Sequence, residues 1–407
     1  MKLLFVHQNF PGQFLHLAPE MQRRGHDVRA ITDATNGKTT NVPTLCYSFQ
    51  APPVDPAATR LGRTFTMMSD RGVVVARLAQ KLRAEGYVPD VIYGHSGWGE
   101  TLFLKEVWPE ARLLVFAEFY YRGLGADVGF DPEFQTAGFD QVMIAQSRAA
   151  YLAQALIHAD AGVAPTEWQA STHPPALRDR LEVIFDGVDC DRLAPPAEAR
   201  FTLPDGRVLA RGDEVLTYVA RNLEPYRGFH IFMRALPAVL AARPDAQVVI
   251  VGGHEASYGQ LPKDGRSWKE VLLEELGDRL DLSRIHFTGK VPYARLVDLF
   301  HVSRAHAYLS YPFVLSWSMV EAMAAGALVV GSDTPPVAEV LRDGETGRLV
   351  DFFDVSGWSA ALIGALARPE AYLPLREAAR RRVRERYDLR TVCLPRQVDL
   401  LTRLSRG

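Results

Sequence analysis

Residues 307–350, AYLSYPFVLSWSMVEAMAAGALVVGSDTPPVAEVLRDGETGRLV, constrain the fold more than any other stretch. Ala307-Tyr308-Leu309 is an apolar run closed by Ser310, Tyr311 and Pro312. Proline cannot donate a further ladder hydrogen bond, so the chain leaves its sheet there. Residues 318–325 are helix formers, with Ser318 placed as N-cap and Gly326 as the stop. Leu328-Val329-Val330-Gly331 is a continuous apolar run of the kind a parallel sheet buries on both faces. Strand, helix, strand in that order predicts a parallel sheet covered by helices. Because the helix begins straight after an irregular segment, its first N–H groups, near Leu315 to Ser318, form an anion site at a strand's carboxyl edge.

At 407 residues the chain exceeds one ordinary domain. It fits two of roughly 180 to 200 residues, each able to bury a core. Hydrophobic content of 47% beside 23% charged residues is globular, and a net charge of −2 offers nucleic acid no general attraction. Charge is unevenly spread: residues 1–190 hold 17 Lys+Arg against 21 Asp+Glu, whereas residues 376–406 hold ten Arg against four acids. That terminal run reads first as a solvated helix face, with contact to an acidic membrane as the alternative. Cys46, Cys190 and Cys393 are too few and too far apart for a disulfide framework or a zinc cluster, which points to a reducing compartment. The apolar run after Lys2 is too short for a signal peptide, and nowhere do ~18 apolar residues run unbroken. The expectation is a cytoplasmic protein with at most peripheral membrane contact.

Residues 2–6 read as a buried strand, 7–13 as a loop, 14–24 as a helix stopped by Gly25, and 28–32 as the returning strand. This opens a doubly wound sheet, whose ligands gather at the carboxyl ends of strands. The loop Asn9-Phe10-Pro11-Gly12-Gln13 holds one glycine rather than a GxGxxG fingerprint, so turn chemistry explains it as well as a ligand loop does. Residues 33–66 read as an excursion from the sheet, 72–85 as an amphipathic helix, 127–139 as an acidic and aromatic loop, and 140–158 as a helix. Strands over 89–95 and 113–122 bring His95 and Glu118 to the edge where ligands bind. Against catalytic roles stand an ion pair between Glu118 and Arg122 and a His95 merely hydrogen-bonded in place.

Residues 192–213, with Pro195, Pro196 and Pro204, have the composition of a linker. The strand after it ends in Arg221-Asn222-Leu223-Glu224-Pro225-Tyr226-Arg227-Gly228, two cations at a strand-to-helix turn. Such a pair suits a diphosphate that gains negative charge as it departs. Residues 229–242 are helical, 247–251 a strand, and Gly252-Gly253 its exit, where the chain can pass close to a ligand. Residues 285–292 read as a strand and turn, 294–303 as a helix, and 376–404 as one terminal helix. Neither expected cleft wall carries a DxD, a His cluster or a Cys cluster, so no metal or other cofactor is called for.

The run Glu321-Ala322-Met323-Ala324-Ala325-Gly326, the VVGSD strand end and the turn Asp343-Gly344-Glu345-Thr346-Gly347 resemble the donor domain of the retaining GT-B glycosyltransferases of family four. The resemblance covers nearly the whole chain and is strongest over residues 215–351. It implies an α/β fold with two doubly wound Rossmann-like domains facing across a cleft. The first, for the acceptor, is expected over residues 1–190, a linker over 191–213, the donor domain over 214–375, and a helix crossing back to the first domain over 376–407. Glu321 is implied to bond the donor ribose, and backbone N–H groups of Leu315, Ser316, Trp317 and Ser318 to hold the diphosphate. Arg221 and Arg227 are implied to neutralise it, the turn at Lys290 and Val291 to read the base, and Pro11, Gly12 and Gln13 to approach donor phosphate or acceptor. One departure stands out. The family carries a second Glu eight positions before the first, and Phe313 occupies that position here, either as a core aromatic or as a stacking surface for the sugar. Glu118, where the family commonly has a histidine facing the sugar, is the candidate replacement, with His95 beside it.

The activity implied is transfer of a sugar from a UDP- or GDP-linked donor to a carbohydrate, lipid-linked or small-molecule hydroxyl, with retention, in glycan or glycoconjugate biosynthesis. The rival readings are a nucleotide-sugar epimerase on the same two sheets and a degenerate, binding-only transferase.

Overall fold

The computed structural model describes residues 1–51, 53, 61–135 and 138–406. The chain divides into two compact units, Met1–Gly187 with Arg390–Gly407, and Val188–Leu389.

The first unit is built on seven strands: β1 (Lys2–Val6), β2 (Asp27–Asp33), β3 (Thr44–Tyr47), β4 (Val91–His95), β5 (Arg112–Phe116), β6 (Ala161–Ala164) and β7 (Leu181–Val183). They lie in the order β3-β2-β1-β4-β5-β6-β7, all parallel. Side chains alternate faces along a strand, and both faces are buried. Leu4 and Val6 pack with Val75, Ala79 and Leu82 of the helix Arg63–Ala84. Leu3 and Phe5 pack with Leu17 and Met21 of the helix Leu17–Arg23, and with Val398 and Leu401 of the helix Leu394–Leu404. The winding reverses between β1 and β4, so the crevice for a ligand lies at their carboxyl ends.

The second unit holds a small antiparallel pair, β8 (Arg200–Thr202) and β9 (Val208–Ala210), beside a six-stranded sheet. That sheet comprises β10 (Val215–Asn222), β11 (Gln247–Gly253), β12 (Ile285–Gly289), β13 (Ala305–Tyr308), β14 (Leu328–Ser332) and β15 (Arg348–Val350), in the parallel order β12-β11-β10-β13-β14-β15. Its winding reverses between β10 and β13.

Four sequence expectations are corrected. Residues 192–213 are not a plain linker: the β8–β9 hairpin buries Phe201, Leu203 and Leu209 against Val215, Val249 and Leu299. The prolines and charges that suggested a linker sit between short strands. The terminal basic segment is two helices, Leu373–Arg386 and Leu394–Leu404, separated by a π turn over Leu389–Cys393. The first belongs to the second unit and the other to the first. The helix expected from residue 72 starts at Arg63. Gly72 lies inside it as a packing position, where a Cβ would come 2.7 Å from the carbonyl oxygen of Gly99. The 33–66 stretch is not an excursion throughout, since its residues 44–47 return to the sheet as β3; its residues 52 and 54–60 lie outside the described residues.

Candidate active site

In the second unit the β10 and β13 ends carry the cationic turn and the loop that leads to the helix Trp317–Ala324. Arg227 is 7% exposed and sits in a short 3-10 turn before Gly228, which adopts φ +63°. Its Nη1 donates to Ser310 Oγ at 2.8 Å and to the Val314 carbonyl at 2.9 Å, and lies 3.4 Å from Tyr308 Oη. The guanidinium also lies over the Tyr258 ring at 5.2 Å. All these partners are neutral. Its counter-charge is Glu224, which acts on it through space rather than by a direct bond among the described contacts. The nearby Glu224 carboxylate is itself engaged, accepting from the amides of Ser257 at 3.3 Å, Tyr258 at 3.1 Å and Gly259 at 2.9 Å. Arg221, at the end of β10, is exposed.

The helix Trp317–Ala324 is capped by Ser316, two residues earlier than the Ser318 that its sequence suggested. Ser316 Oγ accepts from the Ser318 amide at 3.4 Å, and Tyr308 Oη accepts from the Ser316 amide at 2.8 Å. One tyrosine hydroxyl thus ties the helix start to Arg227. Glu321, one turn in, is 7% exposed rather than solvated and accepts from Tyr293 Oη at 2.8 Å. Burial pushes its carboxyl above the ordinary range, opposed by the Tyr293 hydrogen bond and the Arg192 charge. Arg192 stacks over the Tyr293 ring at 4.5 Å.

Phe313 is 5% exposed and packs edge-on against Tyr226 at 5.5 Å and Tyr258 at 4.9 Å. A carboxylate there would be buried among aromatic rings. Gly252 and Gly253 end β11: a Cβ on Gly252 would meet Leu223 at 2.7 Å, and one on Gly253 would meet Asn222 Oδ1 at 2.4 Å and Lys290 at 2.5 Å. Lys290 pairs with Glu255 at 2.9 Å on the surface, with Val291 next to it in the turn.

In the first unit four side chains meet at the β1 and β4 ends. His7 Nδ1 accepts from the Asn9 amide at 2.8 Å, which leaves the ring proton on Nε2, 2.9 Å from Gln13 Oε1. Gln13 Nε2 donates to Glu118 Oε1 at 3.0 Å. His95 Nδ1 accepts from the Gly97 amide at 2.9 Å, so its Nε2 proton points to Glu118 Oε2, 3.6 Å away. Every link is polarised toward the Glu118 carboxylate. Its side chain is 27% exposed, while that of His95 is 3% exposed. Burial, and then the His95 ring 5.0 Å away, holds the His7 imidazole well below its ordinary range, so His7 enters this relay neutral at pH 7. Gly12 adopts φ +49° directly over His7, and a Cβ there would lie 2.8 Å from Nε2, so Gly12 lets the Pro11-Gly12-Gln13 turn close on the ring. Arg122 does not form the ion pair considered for Glu118: its guanidinium donates to the carbonyls of Ser171, Thr172 and His173.

Behind this cluster Glu100 is fully buried, accepting from Tyr47 Oη at 2.7 Å and the Gln8 amide at 3.1 Å. Burial pushes its carboxyl up to about 7. Sequence reasoning missed His7, Glu100, Tyr293 and Tyr308. His7 follows an apolar strand as His95 ends one, so the same argument finds it. Tyr293 meets Glu321 only through the packing of two helices 28 residues apart, and no local pattern marks it.

A family model described as Glycosyl transferase family 4 group matches residues 24–193, and one described as Glycosyl transferases group 1 matches residues 203–382. Among curated relatives, D-inositol 3-phosphate glycosyltransferase of Nocardia farcinica is 32% identical over 47% of this chain and 40% of its own length. Phosphatidyl-myo-inositol mannosyltransferase of Mycolicibacterium smegmatis is 34% identical over 38% of this chain and 37% of its own. The chain thus spans about two fifths of the length of these relatives. Among solved structures, sucrose-phosphate synthase of Thermosynechococcus elongatus superposes with a TM-score of 0.72 at 18% identity, over 100% of both chains. HepE of Anabaena, in complex with UDP and glucose, does so with a TM-score of 0.67 at 16% identity, over 99% of both. The two sheets and these likenesses define the GT-B fold, the fold of a class of glycosyltransferases. More narrowly, the chain is similar to glycosyl transferases of the family 4 group and of group 1, whose models match its two halves.

Proposed function

We propose that the chain transfers a sugar from a nucleotide diphosphate donor to a hydroxyl acceptor, in glycan or glycoconjugate biosynthesis. The single observation that carries this reading is Arg227, a buried cation with neutral partners at the β10–β13 switch point, within the stretch matched to glycosyl transferases group 1. A diphosphate leaving group gains negative charge as its bond to the sugar breaks, and a preorganised cation stabilises that charge without reorganising. Arg227 and the exposed Arg221 supply it, and the helix start at Leu315 to Ser318 adds its positive end. Glu321, held by Tyr293, takes the ribose hydroxyls, the Gly252-Gly253 exit passes close to the nucleotide, and the Lys290-Val291 turn takes the base. In the first unit Glu118 is the acid–base or sugar-orienting carboxylate, set by Gln13 and His95. UDP, named in the HepE complex, is the first nucleotide to try and GDP the second. Metal-independent transfer, a cytoplasmic setting and at most peripheral membrane contact belong to the same proposal. Among the described residues no helix is long and apolar enough to cross a membrane.

Incubation with a panel of UDP- and GDP-sugars, following nucleotide release and sugar transfer, tests the reading. Transfer or slow donor hydrolysis is the expected result. An isomerised donor with no released nucleotide, or nucleotide binding without turnover, would overturn it in favour of an epimerase or a binding subunit.

A further inference from the structure

The helix Leu373–Arg386 carries Arg376, Arg380, Arg381, Arg382, Arg384 and Arg386 against only Glu377 and Glu385. Some of these arginines have structural work. Arg376 Nε donates to the Gly326 carbonyl at 2.6 Å and Arg380 Nε to the Ala324 carbonyl at 3.3 Å, capping the end of the helix Trp317–Ala324. Arg382 donates to the carbonyls of Glu339 and Val340. Arg381 and Arg384 cap nothing among the described residues. With Arg380, Glu385, Cys190 and Ala324 they wall a cavity of about 310 Å³ that lies wholly within the second unit.

We propose that this cavity binds a phosphate-bearing ligand, at a site of its own on the second unit. Three guanidinium groups against one carboxylate converge on it, and their planar forks match phosphate oxygens. Cys190 and Ala324 supply a small wall without charge of its own: burial, and then the Asp388 carboxylate hydrogen-bonded to it, push the Cys190 thiol up to about 12. Among the described residues Arg384 is held by Asp191 at 3.2 Å, with the two side chains 56% and 60% exposed. So exposed a pair contributes little and is readily exchanged for a ligand phosphate. The surroundings add repulsion: burial, and then Arg211, Arg304 and Arg380, hold the Arg376 guanidinium below its ordinary range. An anion at this place adds a counter-charge to those of Glu385 and Asp191 for these arginines. The phosphate could belong to a soluble ester or to a lipid headgroup.

Calorimetric titration with inorganic phosphate, and sedimentation with vesicles of phosphatidylcholine containing phosphatidic acid, test this at physiological salt. The variants are Arg381→Gln with Arg384→Gln, Glu385→Gln, and Arg227→Ala. The double variant alters side chains on an exposed helix face and is expected to keep the wild-type melting temperature. Phosphate affinity should fall about tenfold or more in the double variant, as for lost charge-assisted bonds, and be kept in Arg227→Ala. Glu385→Gln should tighten it severalfold. Phosphate binding without vesicle binding assigns a soluble ester, and vesicle binding lost in the double variant assigns a headgroup. Saturable binding of neither probe, or binding that the double variant leaves unchanged, overturns the proposal. Nucleotide affinity of the double variant stays at the wild-type value in either case, so failure here is separable from failure of the transferase reading.

Discussion

Glu321 and Glu118 are both strand- or helix-edge carboxylates, and their surroundings give them different work. Glu321 is buried with Tyr293 as its hydroxyl donor, so Tyr293→Phe leaves a buried acceptor short of a partner. The variant should lose about 1–3 kcal/mol of stability and bind nucleoside diphosphate less tightly, read by urea unfolding and calorimetry. Glu118 stands partly open at the end of the His7–Gln13 relay. Glu118→Gln should cut transfer by on the order of 100-fold, as for a lost acid–base group, while nucleotide affinity holds; equal turnover would make the carboxylate structural. Glu100 gives a pH signature. Its ordinary value is 4.5 and its folded value about 7, so between those limits the folded state keeps a proton that the unfolded chain has lost. The stability this group contributes is therefore present below pH 4.5 and falls as pH rises through 7. The groups bearing on it are Tyr47, Arg71, His95 and the Gln8 amide. Relative to Glu100→Gln, the wild type should lose about 1–3 kcal/mol between pH 5 and 8 in urea melts. A constant difference would show that the carboxyl titrates normally.

At the scale of elements, the hairpin of β8 and β9 is part of a core. Phe201 is 2% exposed among Val215, Val249 and Leu299, so Phe201→Ala should destabilise the second unit by about 3–5 kcal/mol in thermal melts. A loss under 1 kcal/mol, the figure for a surface change, would restore the linker reading. The hairpin shows where sequence patterns stop being readable. Strands β10 to β14 were legible as apolar runs between turn residues, whereas β15, three residues long and opened by Arg348, carries too little pattern to be read. The helix Trp317–Ala324 was legible from its formers and its stop at Gly326. The three-residue strands of the hairpin are too short to show a period, and their prolines and charges outweigh Phe201 and Leu209. Ser316 outcompetes Ser318 as cap because Tyr308, eight residues back, fixes the Ser316 amide. The strand-end positions of His95, Glu118 and Arg227 followed from chain order. Which partner each one meets did not, since Gln13, Ser310 and Val314 reach them through tertiary folding.

For the whole molecule, two parallel sheets, each with one reversal of winding, place one polar cluster per unit at the carboxyl ends of central strands. The first unit gathers His7, Gln13, His95 and Glu118, and the second gathers Arg227, Tyr308, Ser310 and Glu321. Both arrangements follow from the same rule of doubly wound sheets. Their chemistry differs because the first holds a carboxylate beside two imidazoles and the other is cationic beside a helix start. Central to this account is Arg227 as the preorganised charge for a diphosphate. Calorimetric titration of UDP and GDP into the wild type and Arg227→Ala tests it most directly. The account predicts saturable binding of one of the two by the wild type, weakened by about 1.5–3 kcal/mol in the variant. Equal affinity in the two proteins, or no binding of either nucleotide by the wild type, would contradict it.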